Sequence, residues 1–279
     1  MKDKICIVTG ANSGIGKETA KQLVELGAHI VMIVRNEEKG SVVLTEIKKE
    51  IRNASLDLMV CDFSSQESIR TFTQTFKEKY NQLDVLVNNH GALFGKRQLT
   101  PDGLESTFAV NHLGYFLLTK LLLDILKSSA HSRIINVSSG AYAAVRSWPL
   151  KDYNYEKRRY SSFKAYSESK LYNIMFTYYL ADLLSETNVT VNTYTPGFTR
   201  TNFGKNTLLM RFFSVLLAPF ANSPAKAAKT AIYLASSPEV ENITGKYFVK
   251  CKQKETNPLS NNKEYQKELW ELSEQLTTR

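Results

Sequence analysis

The run Lys4-Ile5-Cys6-Ile7-Val8-Thr9-Gly10-Ala11-Asn12-Ser13-Gly14-Ile15-Gly16 decides how the rest of the chain is read. Ile5 to Val8 make the short continuous apolar run expected of a strand buried on both faces. Gly10, Gly14 and Gly16 then permit a tight turn, and they let bare backbone N–H groups approach a phosphate at the positive end of a helical stretch reaching about Leu26. A glycine-rich turn alone is weak evidence. Here it follows the first predicted strand and opens a helix, the context a dinucleotide cradle needs, with a spacing different from the simple G-x-G-x-x-G form.

Outward from this turn the chain alternates. Residues 30–34 read as a strand, 37–52 as a helix, 56–60 as a strand, 66–79 as a helix, and 85–87 as a strand running into Asn88-Asn89-His90-Gly91. A long helical region covers about 101–127 and the next strand 133–137. Strand and helix in succession predict an α/β fold: one Rossmann-type, doubly wound parallel sheet of about seven strands, helices on both faces, ligands at the carboxyl ends of the strands. No repeat, linker or low-complexity tract interrupts it, so residues 1–279 are expected to form one domain.

Composition is that of an ordinary globular protein, with 43% hydrophobic and 23% charged residues in 279. Cys6, Cys61 and Cys251 lack metal or disulfide spacing and are expected to be buried, reduced thiols. The opening Met1-Lys2-Asp3-Lys4 leads straight into a short strand, without a signal-like or membrane-spanning segment, so a cytoplasmic location is expected. Residues 1–140 carry 17 Lys/Arg against 15 Asp/Glu and residues 141–279 carry 19 against 12, which concentrates the net +9 in the second half. Such a surface suits an anionic cofactor or membrane face. Without the aromatic-and-basic pattern of a nucleic-acid module, no nucleic-acid partner is expected.

The end of the second strand bears on the cofactor. NAD-preferring enzymes usually place a carboxylate there for the ribose hydroxyls. This chain has Val34-Arg35-Asn36, and Arg35 can meet a 2′-phosphate through charge-assisted hydrogen bonds. NADP(H) is therefore expected in preference to NAD(H), with Glu37 or Glu38 facing the ribose as the alternative.

Tyr166-Ser167-Glu168-Ser169-Lys170 places a phenol and an ammonium one helical turn apart. A nearby cation draws a tyrosine pKa down from its ordinary ~10, which suits the phenol for proton transfer. Taken alone, this spacing favours an exposed tyrosine beside a solvated lysine; only the rest of the chain changes that. Ile134-Ile135-Asn136-Val137-Ser138-Ser139 brings two hydroxyls to a strand mouth, and Asn111 is a polar amide within an apolar helix.

With these pieces in order (Thr9 to Gly16, Asp62, Asn88-Asn89 with Gly91, Asn111, Ser139, Tyr166 with Lys170, Pro196-Gly197), residues 3–250 resemble the short-chain dehydrogenase/reductase superfamily. The resemblance implies a catalytic tetrad of Asn111, Ser139, Tyr166 and Lys170. Ser139 would hold the substrate oxygen, Tyr166 exchange its proton, Lys170 lower the tyrosine pKa and bind the nicotinamide ribose, and Asn111 hold Lys170 through a water. Ser138 would only support the strand end. It also implies cofactor contacts from Gly10, Asn12, Ser13, Gly14, Ile15 and Gly16 around the pyrophosphate and from Asp62 with Phe63 at the adenine. Asn89 and Gly91 would lie along the adenosine ribose, and Pro196, Gly197, Thr199 and Thr201 at the carboxamide. His90 stands where such chains usually have alanine and is read as structural. His29, His112 and His131 lack metal-like spacing, so no metal site is expected.

Between Ser139 and Tyr166 lies a long insertion with Arg146, Trp148, Tyr153, Tyr155, Lys157, Arg158, Arg159 and Tyr160, whose aromatics either line a substrate pocket or pack the loop down. The apolar run 207–220 suits a lid over about 198–222, facing substrate or dipping into a membrane surface; a dimer contact or ordinary core is its other reading. These features, with the expected closing helix 263–276 bearing Trp270, resemble the retinol dehydrogenase-like branch. That branch implies NADP(H)-linked interconversion of an apolar alcohol and its aldehyde or ketone, and the superfamily commonly forms homodimers or homotetramers on the helix carrying Tyr166. Alternatives are a sugar-nucleotide epimerase, which usually has a larger C-terminal part, a light-driven tetrapyrrole reductase, and a non-catalytic NADP(H)-sensing scaffold.

Overall fold

Strands and helices alternate here because the apolar residues do. The computed structural model describes residues 1–197 and 222–278. Thr199, Thr201 and the expected lid run 207–220 lie outside the described residues.

Seven strands pair in parallel: β1 (Ile5–Thr9), β2 (His29–Val34), β3 (Leu56–Val60), β4 (Val85–Asn88), β5 (Ser132–Val137), β6 (Val189–Thr195) and β7 (Lys246–Val249). Their order is β3-β2-β1-β4-β5-β6-β7, with a short β8 (Lys252–Lys254) antiparallel to β7 at the edge. This is the doubly wound sheet that the alternation predicts, extended by one strand. Lys252-Gln253-Lys254 is polar and exposed, so it carries no apolar signal to read. Its lysines also suit an unpaired edge, where charge discourages pairing with another chain.

Period-two alternation sorts the core onto two faces. Ile7, Val31, Ile33, Leu86 and Ile134 pack toward α3 (Gln66–Lys79), α5 (Gly114–Ser128) and α6 (Ser162–Leu183). Cys6, Val8, Ile30, Met32, Val85, Val87 and Ile135 pack toward α1 (Gly14–Glu25), α2 (Glu37–Glu50) and α7 (Pro224–Ser236). Burial of each large aliphatic side chain contributes roughly 1.5–3 kcal/mol. Cys251, unlike the buried Cys6 and Cys61, is only half buried, in the β7–β8 turn, so its expected burial holds in part.

The region 101–127 is not one regular helix. It begins as α4 (Ser106–Phe108), passes through a π-helical turn Ala109–Leu113, and continues as α5. By length and composition alone Ser106–Ser128 could cross a membrane, but 72% of its apolar window is buried in the fold. Core packing accounts for that apolarity. The last helix, α8 (Lys263–Thr277), lies across α5 and α6, its Trp270 ring 4.9 Å from Phe116, 6.1 Å from Phe176 and 5.2 Å from Tyr179. Arg70 and Gln66 of α3 donate to the Thr277 and Leu276 carbonyls and cap its end.

Strand order reverses between β1 and β4. A crevice at the carboxyl ends of these two strands is where such sheets bind ligands.

Candidate active site

The glycine turn enters this crevice from β1. Gly10 (φ 67°) and Gly14 (φ 54°) sit in the left-handed region, and a Cβ on Gly16 would stand 2.5 Å from the Asn89 amide nitrogen. Each of the three positions therefore needs glycine for conformation or for close packing. Ser13 begins α1 without a side-chain capping bond, so its hydroxyl does not satisfy the first-turn N–H groups, and the helix macrodipole adds positive potential there. These features fit a dinucleotide pyrophosphate. Asn89 donates to the Thr9 carbonyl at 2.8 Å, which ties the end of β4 to the turn.

Asp62 follows β3, and one of its carboxylate oxygens accepts from the Ser64 N–H at 2.9 Å and hydroxyl at 2.8 Å. The Phe63 ring is committed elsewhere: it stacks on His90 with centroids 3.4 Å apart. Arg35 is exposed and makes no hydrogen bond or ion pair among the described residues. Asn36 beside it caps α2 by accepting from the Lys39 N–H at 2.8 Å.

At the next strand ends the structure brings together the four expected catalytic residues. Ser139 follows β5, and its side chain hydrogen-bonds that of Tyr166 on the first turns of α6. Lys170, one turn on and 3% exposed, donates from Nζ to the Val137 carbonyl at 3.1 Å and lies 5.6 Å from the Tyr166 ring centroid. Asn111, held by the π-helical turn, exchanges hydrogen bonds with the Ala92 backbone at 2.7 and 2.9 Å and donates to Ser169 Oγ at 3.1 Å. A Cβ on exposed Gly91 would come within 3.4 Å of Asn111 Oδ1 and 3.5 Å of Lys170 Nζ. Gly91 thus marks where amide and ammonium meet below an open strand end. Ser138 points its hydroxyl at the Lys170 carbonyl, 2.8 Å away, and supports α6.

One expectation is corrected. Burial pushes the Tyr166 phenol up to about 12, with the Ser139 hydrogen bond acting in the opposite direction, and burial draws Lys170 down to about 7. In the protein alone the phenol is therefore not acidified, because its own desolvation outweighs the Ser139 hydrogen bond. For stability the sign follows directly. A lysine at about 7 when folded and at its ordinary 10.5 when unfolded imposes its full penalty below pH 7 and loses it as pH rises to 10.5. Lys170→Met should therefore gain stability over the parent at pH 6–7 by an amount on the order of a few kcal/mol, and the gap should close toward pH 10.5. Denaturant unfolding of both proteins at pH 6.5 and 10 reads this; a gap independent of pH contradicts it.

Three polar residues not singled out as site residues from the sequence, Thr119, Asn136 and Thr177, join Asn88 of the family pattern beneath the site. Asn88 donates to Asn136 at 2.8 Å and to Thr119 at 3.0 Å, and Asn136 donates to Thr177 at 2.9 Å. This buried ladder bonds β4 and β5 to α5 and α6 just below the reacting groups. Its signal was present in Asn136 and Thr119, polar residues within apolar runs. The insertion packs down rather than opening a pocket: Trp148 stacks on Tyr265 at 4.7 Å and donates to Glu268 at 2.7 Å, and Tyr153 tilts on Phe108. Arg146, Lys157 and Arg159 are exposed. Half-buried Pro196 precedes Gly197 (φ 77°), whose added Cβ would stand 2.9 Å from the Asn222 amide nitrogen, so Gly197 and Asn222 lie side by side.

A glycine cradle at the sheet's switch point, with a Ser-Tyr-Lys cluster at the adjacent strand ends, defines a nicotinamide-nucleotide oxidoreductase of the Rossmann class. The chain belongs to the short chain dehydrogenase family, whose pattern matches residues 4–211. It is 41% identical to retinol dehydrogenase 14 of Homo sapiens over 291 residues, covering 98% of this chain and 86% of that protein. Among solved structures, an uncharacterised protein from Mycobacterium paratuberculosis superposes with TM-score 0.80 at 29% identity, covering 99% of this chain and 94% of the other. A short chain dehydrogenase from Shigella flexneri complexed with NADP superposes with TM-score 0.72 at 25% identity, covering 90% and 98%. The chain is accordingly an oxidoreductase acting on CH–OH groups with NAD(P).

Proposed function

We propose that this protein interconverts an apolar alcohol and its aldehyde or ketone, with NADP(H) preferred, as a single domain using Asn111, Ser139, Tyr166 and Lys170. The observation that carries the reading is the Tyr166–Ser139 hydrogen bond at the mouth of β5, with the Lys170 ammonium held behind it. Two hydroxyls converging at one strand mouth can hold a carbonyl or alkoxide oxygen between them. In the direction of reduction Tyr166 gives its proton to that oxygen while Ser139 donates a second hydrogen bond; in oxidation Tyr166 takes the proton back. Gly10, Asn12, Ser13, Gly14, Ile15 and Gly16 would hold the pyrophosphate, Asp62 and the Phe63 backbone the adenine, Asn89 and Gly91 the ribose, and Pro196, Gly197, Thr199 and Thr201 the carboxamide. Bound there, the nicotinamide would supply or accept a hydride and, when oxidised, bring a positive charge that draws the phenol pKa down. Lys170, fixed by Val137 and flanked by Asn111, stands ready to bind ribose hydroxyls.

The NADP(H) preference rests on Arg35. An exposed guanidinium at the end of β2, without a partner among the described residues, is available to a 2′-phosphate, and the neighbouring Asn36 is occupied by its cap. Charge-assisted hydrogen bonds of this kind are worth about 1.5–3 kcal/mol, so Arg35→Ala should weaken NADPH binding roughly 10- to 100-fold. NADH binding should stay within about twofold. Titrating both cofactors against both proteins by fluorescence reads the difference; equal NADH and NADPH affinities in the parent refute the preference.

The apolar substrate class rests on the run 207–220 and on similarity to retinol dehydrogenase 14, and the same run offers a peripheral membrane contact. A dimer built on α6 would have to seat partly on α8, because Trp270 and its neighbours cover the faces of Phe176 and Tyr179.

A further inference from the structure

His90 occupies a slot that connects the cofactor cradle to the turn carrying Asn111. Its backbone N–H donates to Thr9 Oγ1 at 3.0 Å, and the Asn89 N–H donates to the same oxygen at 2.8 Å. With both lone pairs of that hydroxyl engaged, its own proton goes to the better-placed acceptor, His90 Nδ1 at 2.9 Å, rather than to the Val87 carbonyl at 3.3 Å. The imidazole proton then sits on Nε2 and is donated to the Val110 carbonyl at 2.9 Å. Val110 lies in the π-helical turn, immediately before Asn111.

The slot is shaped for this ring. Phe63 stacks on one face at 3.4 Å, Tyr115 meets it edge-on at 4.8 Å, and the Tyr115 hydroxyl donates to the His90 carbonyl at 2.7 Å. A Cβ on Gly114 would stand 3.0 Å from Nε2, so glycine there leaves room for the imidazole. Burial draws His90 down to about 3, so the ring is neutral and serves as a fixed donor and acceptor at working pH.

We propose that His90 is a positioning residue: the Thr9–His90–Val110 chain of hydrogen bonds transmits occupancy of the glycine cradle to the Asn111 turn. The inference rests on the oxidoreductase reading above and adds to it a device at a position where comparable chains were expected to have alanine. An alanine methyl reaches neither Thr9 nor Val110. His90→Ala frees the Thr9 proton to turn to Val87 and removes the imidazole bond to the Val110 carbonyl, whereas the His90→Gln amide can still reach Val110.

Hydrogen exchange with and without NADPH tests the tie without relying on turnover. In the parent, NADPH should slow exchange both in the cradle, residues 9–17, and in the Asn111 turn, residues 109–115. His90→Ala should keep the first effect and lose most of the second, and His90→Gln should restore it. Turnover should follow, with kcat about 10- to 100-fold lower in His90→Ala, substrate KM little changed, and recovery in His90→Gln. A role confined to stability would lower the melting temperature of His90→Ala but leave the linked protection and kcat in place, and that result overturns the proposal. Should His90→Ala fail to fold, Thr9→Val breaks the tie at its other end and is read in the same way. No NADPH-linked protection of the parent's cradle would overturn the cofactor reading itself. Protection of the cradle alone in the parent would overturn only the tie.

Discussion

Tyr166→Phe should lower turnover by roughly 10²- to 10⁴-fold while NADPH binding stays within about twofold, because only the phenolic hydroxyl is removed. The ring, its place on α6 and its distance from Lys170 are kept; what is lost is the hydroxyl that pairs with Ser139. Carbonyl reduction needs the phenol protonated and oxidation needs it ionised. With burial holding the phenol at about 12, Tyr166 stays protonated through neutral pH, the form reduction needs, and oxidation should rise with pH. An NADPH-oxidation assay over aldehydes of graded chain length, ketosteroids, retinal and sugars measures the loss in the parent's best substrate. A variant with parental turnover would remove Tyr166 from the chemistry, and full function without turnover would favour a cofactor-sensing scaffold.

Arg158→Ala should destabilise the fold by about 3 kcal/mol, through a buried carboxylate left without its cation. Glu168, two residues from both Tyr166 and Lys170, has a side chain only 8% exposed and accepts from Arg158 at 2.8 and 3.3 Å and from Tyr155 at 2.9 Å. Arg158 also bonds Asp152 at 3.1 Å and lies 4.3 Å over the Tyr155 ring, where Tyr155 holds φ at 53°. The Arg158 side chain is itself 36% exposed, so solvent screening keeps the loss near the lower end of what a broken buried pair costs. The melting temperature should fall by about 5–10 °C. Arg158→Lys should recover only part of this, since an ammonium cannot span both carboxylates as the planar fork does. Exposed Arg159, replaced by Ala, should change stability by less than about 0.5 kcal/mol. Equal effects of the Arg158 and Arg159 replacements would contradict the clamp.

The sequence was most legible where one physical signal dominates. Mostly apolar runs of three to five residues located β1 to β5 within a residue or two, and the glycine spacing located the cradle, because each reports a local requirement of the backbone. The convergence of Ser139, Tyr166 and Lys170 was legible as a family pattern, since no local rule brings β5 and α6 together. What escaped depended on contacts between distant segments. The π-helical turn around Asn111 looks like ordinary helix in composition; His90, Tyr115 and the Ala92 backbone fix its shape from outside. β8 lacked an apolar pattern altogether. The opposed shifts of Tyr166 and Lys170 could not be read from a four-residue spacing, which gives proximity but not burial, and burial decides the sign here. The aromatics of the insertion were ambiguous for the same reason, until Tyr265 and Glu268 of α8 appeared beside Trp148.

On the proposed function, a hydride moves between a nicotinamide and the carbonyl carbon of an apolar substrate at the Ser139–Tyr166 mouth. NADPH carrying deuterium at both hydrogens of the nicotinamide C4, incubated with the protein and a long-chain aldehyde, should yield an alcohol with one deuterium on the carbinol carbon, and Tyr166→Phe should yield almost none. Alcohol lacking that label, or equal labelling by both proteins, would contradict the account.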